Sequence, residues 1–351
     1  MIKKDYLHFL LYVSLTLLAA IFVVLIILPG NEPVTSSSDE VSNLDAQIAM
    51  RRRDSAVLPI PHLPEEEFQS GKVLLGEKLF HDPNLSGDGT VSCATCHDIK
   101  RSGTDGRKVA IGVGDALGTF NTPTVFNSIF NFRQFWDGRS DSLFDQVSGP
   151  LTNIAEMASS WTIAVRRVSE DKEYRKAFDR EYGGEISERT ISDAISRFET
   201  TLLTPNSPFD RFLNGDATAI SQEAKEGYKL FIDYGCISCH QGINLGGNFF
   251  QRFGVMGDYF VDRGNLTEAD LGRYNVTGLE EDRYIFKVPG LRNVAVTAPY
   301  FHDGGTETLD QAIEIMARYQ LGRELSKEER SLIATFLESL TGEYRGERLT
   351  P

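Results

Sequence analysis

Cysteine is scarce in this chain: four in 351 residues, and none outside two short motifs. Basic charge is scarce too, with 36 lysines and arginines against 50 aspartates and glutamates and a formal net charge of −14. Nothing here neutralises phosphates, which excludes a nucleic-acid partner. The acidic surface suits a basic redox protein steered electrostatically, although acidity is common without such a partner. Long apolar runs are absent but for one, from Phe9 to Pro29, of the ~20 residues that a membrane-spanning helix needs. It ends in Ile-Ile-Leu-Pro-Gly with no Ala-X-Ala, so an uncleaved anchor is expected over a cleaved signal peptide. Lys3 and Lys4 ahead of it place the N-terminus in the cytoplasm and everything after Gly30 outside. Residues 1–30 are thus read as cytoplasmic tip and anchor, and the polar, aperiodic residues 31–56 as a tether.

The cysteines stand in Cys93-Ala-Thr-Cys96-His97 and Cys236-Ile-Ser-Cys239-His240. Thiols three positions apart reach the two vinyl groups of one haem, and the next histidine falls beneath the iron as axial ligand. A bare Cys-X-X-Cys also serves as a redox disulfide or as half a zinc site. The histidine after each pair, the want of further cysteine and the export signal favour two covalently bound haem c groups.

The motifs share their surroundings. Gly76-Glu-Lys-Leu-Phe80 precedes the first and Gly227-Tyr-Lys-Leu-Phe231 the second, each in an amphipathic stretch (Glu65–Phe80 and Gln222–Asp233). Later helical stretches follow at Ser187–Leu203 and Ser326–Leu340. Helix, haem motif and later helix make a cytochrome c unit, so two such units in tandem are expected. The join falls at the helix-breaking Thr204-Pro-Asn-Ser-Pro208, giving domains at 57–204 and 205–351. Strand pattern is slight, so the fold class is mainly α.

A second axial ligand must come from a short inventory. His62, His81 and His302 are left once the tail and the two motifs are set aside, and so are Met157, Met256 and Met316. A His/Met haem has a high potential suited to electron transfer, and a haem with an open position binds a small oxidant. These residues alone do not assign the positions, and a buried methionine is more often core filler than a ligand.

Over residues 60–342 the chain resembles the bacterial di-haem cytochrome c peroxidases, the family that includes the MauG-type enzymes. Its blocks are Leu79-Phe-His-Asp-Pro-Asn-Leu-Ser86, Asn121-Thr-Pro-Thr-Val-Phe-Asn127, Gln134-Phe-Trp-Asp-Gly-Arg139 and Glu156-Met157, with the first haem motif among them. After the second motif come Leu291-Arg-Asn-Val294, Thr297-Ala-Pro-Tyr-Phe-His302, and Met316 ahead of Gln320-Leu-Gly322.

The resemblance implies roles. The N-terminal haem is the peroxidatic one, with Gln146 and Glu156 in its distal pocket and Glu156 as acid and base on peroxide. Without the motif, Glu156 would read as a helix cap or a solvated glutamate. Trp136 matches the aromatic residue that conducts electrons between the haems, and as a bare tryptophan it also suits a core. Met316 matches the axial ligand of the C-terminal haem, where MauG-type enzymes have tyrosine. Asn121 with the carbonyls of Thr297 and Pro299 matches a calcium site at the domain interface; an asparagine in such a loop is otherwise a turn residue. His302 matches a position beside the haems, where a hydrogen bond to a propionate is expected before iron ligation. In one departure, Val113 stands where many members have a histidine that caps the peroxidatic iron, so an open N-terminal haem is expected at rest.

The reading is then a cytochrome-c peroxidase at the periplasmic face of the inner membrane, anchored by residues 9–29. It reduces hydrogen peroxide with electrons from a small cytochrome c, a cupredoxin or the quinol chain, and the family implies a homodimer. A second reading is a MauG-like enzyme that uses peroxide-oxidised haems to oxidise side chains of a partner protein; Val113 raises it and Met316 lowers it. A plain di-haem electron carrier is a third, opposed by Gln146 and Glu156.

Overall fold

Apolar spacing sets where this chain coils, and capping residues set where each helix begins. The structure, a computed structural model, describes residues 56–351. The expected anchor and nearly all of the tether lie outside these residues, and no helix among them is long and apolar enough to cross a membrane. The described helices of ten residues or more are α1 (Gly71–Phe80), α2 (Trp161–Glu170), α3 (Lys172–Tyr182), α4 (Glu188–Glu199), α5 (Gln222–Asp233), α6 (Leu309–Leu321) and α7 (Lys327–Glu338). Ser160, Asp171, Ser187, Ser221, Thr308 and Ser326 cap α2 to α7, each side chain accepting from a backbone N–H of the first turn.

Two expected helices come out shorter. Glu65–Phe80 is broken after Phe68, where Ser70 is extended and Ser70-Gly71 has poor helix propensity. Ser187–Leu203 stops at Glu199, because the hydroxyls of Thr200 and Thr201 bond the carbonyls of Arg197 and Phe198 at 2.7 Å each. Among the described residues, strand is confined to two antiparallel ribbons: β1 (Phe250–Arg252) with β2 (Ile285–Lys287), and β3 (Glu343–Tyr344) with β4 (Glu347–Arg348). In the first ribbon Phe250 faces Lys287.

Each half is built on one helix crossing, and the repeated glycines explain it. A β-carbon at Gly76 would lie 1.9 Å from the Ala194 carbonyl oxygen of α4, and one at Gly227 1.9 Å from that of Leu332 in α7. Only hydrogen fits at either point, so α1 crosses α4 and α5 crosses α7 at backbone contact. The phenylalanine four residues on then meets the partner helix edge-on or tilted: Phe80 on Phe198, and Phe231 on Phe336, at 5.2 Å in both.

The two ends of the described chain cross over. Residues 56–60 pack on the second half: the Ala56 carbonyl accepts from Gly242 N–H at 2.6 Å, and Ile60 N–H donates to Asp210 at 3.1 Å. Tyr344 and Leu349, near the other end, are buried in the core of the first half, with the Tyr344 ring 5.1 Å from Phe126. The tether expected up to residue 56 therefore already makes contact at its last residue.

Candidate haem sites

His97 and His240 are held the same way. Each follows its cysteine pair, and its Nδ1 bonds a backbone carbonyl a few residues on: Gly103 at 3.2 Å and Leu245 at 3.1 Å. Donation from Nδ1 leaves Nε2 as the ring nitrogen able to bind a metal, the tautomer an axial ligand needs. Burial pushes both imidazoles down to about 4, so both are neutral near pH 7.

In the second half, Cys236, Cys239, His240 and Met316 line one cavity of about 570 Å³. Phe231, Phe253 and Phe286 supply apolar wall, and Trp136, Asn121, Thr297, Pro299 and His302 also line it. Cavity size and donor set fit a haem, which Cys236, Cys239 and His240 would hold, with the Met316 thioether on the same lining. The other candidate methionines lie elsewhere, Met157 buried in the first core and Met256 61% exposed. His81 bonds its own helix at the Glu77 carbonyl, 2.9 Å away.

In the first half, Glu156 reaches the haem motif electrostatically. Burial first, and then the charges of Glu199, Cys96 and Glu156, push the Cys93 thiol up to about 12. Burial, then Asp105 and Glu156, push Cys96 up to about 11. Glu156 is itself raised by burial, against a 2.7 Å hydrogen bond from Asn153 and the charge of Arg139. A carboxyl so placed can carry a proton and release it. Val113 lies against this segment, its N–H donating to the Glu156 carbonyl at 2.8 Å, while its side chain packs on the core. Gln146 ends a short helix (Leu143–Gln146) and is half-buried.

Trp136 is fixed between the halves. Its indole N–H donates to the Asn121 carbonyl at 3.0 Å and its own carbonyl accepts from Lys287 at 2.9 Å. Asn121 also donates its amide to Arg107 and its N–H to the His302 carbonyl, each at 2.8 Å. His302 is buried edge-on to Trp136 at 6.4 Å, and its Nε2 is engaged by the buried Asp270 at 2.7 Å. Burial opposes ionisation of Asp270, yet hydrogen bonds from His302, Arg263 and Thr267 outweigh it and hold the carboxyl below the usual range. Asp270, His302 and Asp303 come within metal-binding distance of one another, but Arg263 bridges the two aspartates at 2.6 and 2.7 Å, an ordinary ion-pair network.

Sequence reading missed Glu199, which burial pushes up to about 8 and whose Oε2 has no hydrogen-bond partner among the described residues. The signal was there: Ile191, Ile195 and Glu199 fall four apart on one helix face, and the first two are buried. It also missed Asn153 and Asp105, which act on Glu156 and Cys96 from nearby loop positions that no pattern marks, and Lys287, whose neighbours are distant in sequence.

Comparison with known proteins fits this arrangement. The family model described as di-haem cytochrome c peroxidase matches residues 70–218. The chain is 50% identical over 297 residues to "Cytochrome c peroxidase Ccp" of Escherichia coli K12, across 84% of this chain and 63% of that protein's length. It is 46% identical to "Cytochrome c551 peroxidase" of Nitrosomonas europaea (77% of this chain, 79% of the relative). It is 33% identical to "Methylamine utilization protein MauG" of Methylorubrum extorquens (88% and 87%). Among solved structures, a MauG-like protein associated with microbial copper homeostasis superposes with a TM-score of 0.72 at 29% identity, over 82% of this chain and 94% of that one. The chain belongs to the di-haem cytochrome c peroxidase family. That membership carries the mainly helical fold and two haem c groups with it.

Proposed function

We propose that the chain reduces hydrogen peroxide to two waters at the site of Cys93, Cys96 and His97, taking two electrons and two protons. Electrons enter at the site of Cys236, Cys239, His240 and Met316 and pass near Trp136. The observation that carries this reading is the inequality of the two sites. Met316 lines the same cavity as His240, whereas the carboxyl within electrostatic reach of the first motif is Glu156, raised by burial.

The haems, when bound, supply the redox chemistry. The protein supplies the rest. The two histidines present Nε2, Gln146 orients peroxide, and Glu156 takes a proton from one peroxide oxygen and delivers it to the other as the O–O bond breaks. Asn153 and Arg139 hold that carboxylate once it has lost its proton. The donor is a small periplasmic cytochrome c or cupredoxin, and the apolar run before residue 30 supports attachment to the inner membrane. The resemblance supports a calcium ion held by Asn121 and the carbonyls of Thr297 and Pro299. Chelation should then slow turnover and calcium should restore it.

The test is E156Q. General acid–base catalysis contributes roughly 10²–10⁴-fold, so turnover with reduced cytochrome c should fall by at least about 10²-fold with both haems retained. Unchanged activity would remove Glu156 from the mechanism. Negligible wild-type turnover with every small donor, alongside oxidation of a partner protein, would favour the MauG-like reading instead.

A further inference from the structure

The cavity of the second half contains a charge that its own wall does not answer. Lys287 closes β2, is 7% exposed and lines the cavity together with His240, Met316 and Trp136. Its backbone N–H bonds the Trp136 carbonyl, which ties it to the segment between the halves. The ammonium has no hydrogen bond or ion pair among the described residues, and burial pushes it down to about 8. The other cation on the wall is committed: Arg292 bonds Asp210 at 2.8 Å, the Ile243 carbonyl at 3.0 Å and the Leu58 carbonyl at 2.8 Å. Among the described residues, no aspartate or glutamate lines the cavity.

A buried cation is tolerated when it is paired. Here the counter-charge has to arrive with the occupant, and a haem carries two propionate carboxylates. We propose that Lys287 is the cationic partner of a propionate of the haem held by Cys236, Cys239 and His240, on the side facing Trp136. A fixed positive charge there disfavours the extra charge of ferric iron and offsets the propionate's negative charge. Lys287 therefore raises the reduction potential of the electron-entry haem, as a positioning and tuning residue. The inference rests on the reading of that pocket given above.

Wild type, K287Q and K287R are compared as holoproteins, with haem content counted, midpoint potentials read by spectroelectrochemistry and propionate modes by resonance Raman. Two haems per chain are expected in each. In K287Q the midpoint of the methionine-ligated haem falls and its propionate bending bands shift, while the other haem is unmoved; K287R returns the midpoint towards wild type. Unmoved midpoint and unmoved propionate bands with both haems present overturn the proposal. Loss of methionine ligation in K287Q also overturns it, since Lys287 would then act on the ligand set. If K287Q does not accumulate with two haems, K287R decides: a forked guanidinium must shift the propionate bands, and unmoved bands refute the pairing. A wrong Met316 assignment appears separately, as a wild-type spectrum without a methionine-ligated haem, and the Lys287 pairing is then still read on the propionate bands.

Discussion

Burial does opposite work on the titratable side chains around these sites. It keeps His97 and His240 neutral and ready to bind iron, and it keeps Glu199 protonated. The Glu199 carboxyl titrates near 8 in the folded chain, against roughly 4.3 when unfolded. Between those values only the folded state holds the proton, so stability is full below the lower value and is lost as pH rises through the upper one. Relative to E199Q, the wild type should therefore lose up to about 1.4 kcal/mol per pH unit between pH 5 and 8. Denaturation midpoints of the two holoproteins across that range check this, and a constant gap would count against it. Val113 carries a second expectation. With a valine on the Glu156 carbonyl, the resting ferric protein should show a high-spin signal in electron paramagnetic resonance; two purely low-spin haems would oppose it. Legibility at this scale followed distance along the chain. Both haem motifs could be read because their chemistry lies within five residues, and Glu156 because a family pattern marks it. Lys287 could not, because its significance is a cavity wall assembled from both halves.

Helix crossings repeat the same design twice. Gly76 and Gly227 each let a backbone carbonyl of the facing helix come where a methyl group would sit. G76A and G227A should each cost about 1–3 kcal/mol, the usual range for overpacking, seen as a lower denaturation midpoint. An alanine on the exposed side of the same helix, as in L74A, should cost less. Equal midpoints for G76A and wild type would mean that the crossing relaxes freely. These glycines were visible in the sequence as matched pentapeptides, and the structure supplies their reason. The helix ends were less visible: Thr200 and Thr201 could as well have continued α4, and only their hydroxyl bonds to the last turn show otherwise.

Viewed as a whole, residues 56–351 are tied together at their two ends. Tyr344 and Leu349 complete the first core, and Arg345 reaches Glu77 at 3.2 Å. Burial of two such side chains stabilises by about 3–6 kcal/mol at 1.5–3 each. A chain ending at Gly342 should lose stability of that order, and limited proteolysis should cut first in the first half, around Phe126. Cleavage confined to the second half would contradict the assignment. No repeat or periodicity announces this crossover, since the tail is a short ribbon whose contacts in the first half, Phe126 and Glu77, lie far upstream in sequence. The crossover also bears on the order of assembly. A polypeptide is made from its N-terminus, so Tyr344 and Leu349, which finish the first core, emerge after both haem motifs. Until they arrive, Phe126 lacks one neighbour and the segment carrying Cys93 and Cys96 rests on an incomplete base. Docking of this distal segment and firm seating of the first haem motif are thus one event, because Cys93 packs on the core that Tyr344 and Leu349 complete.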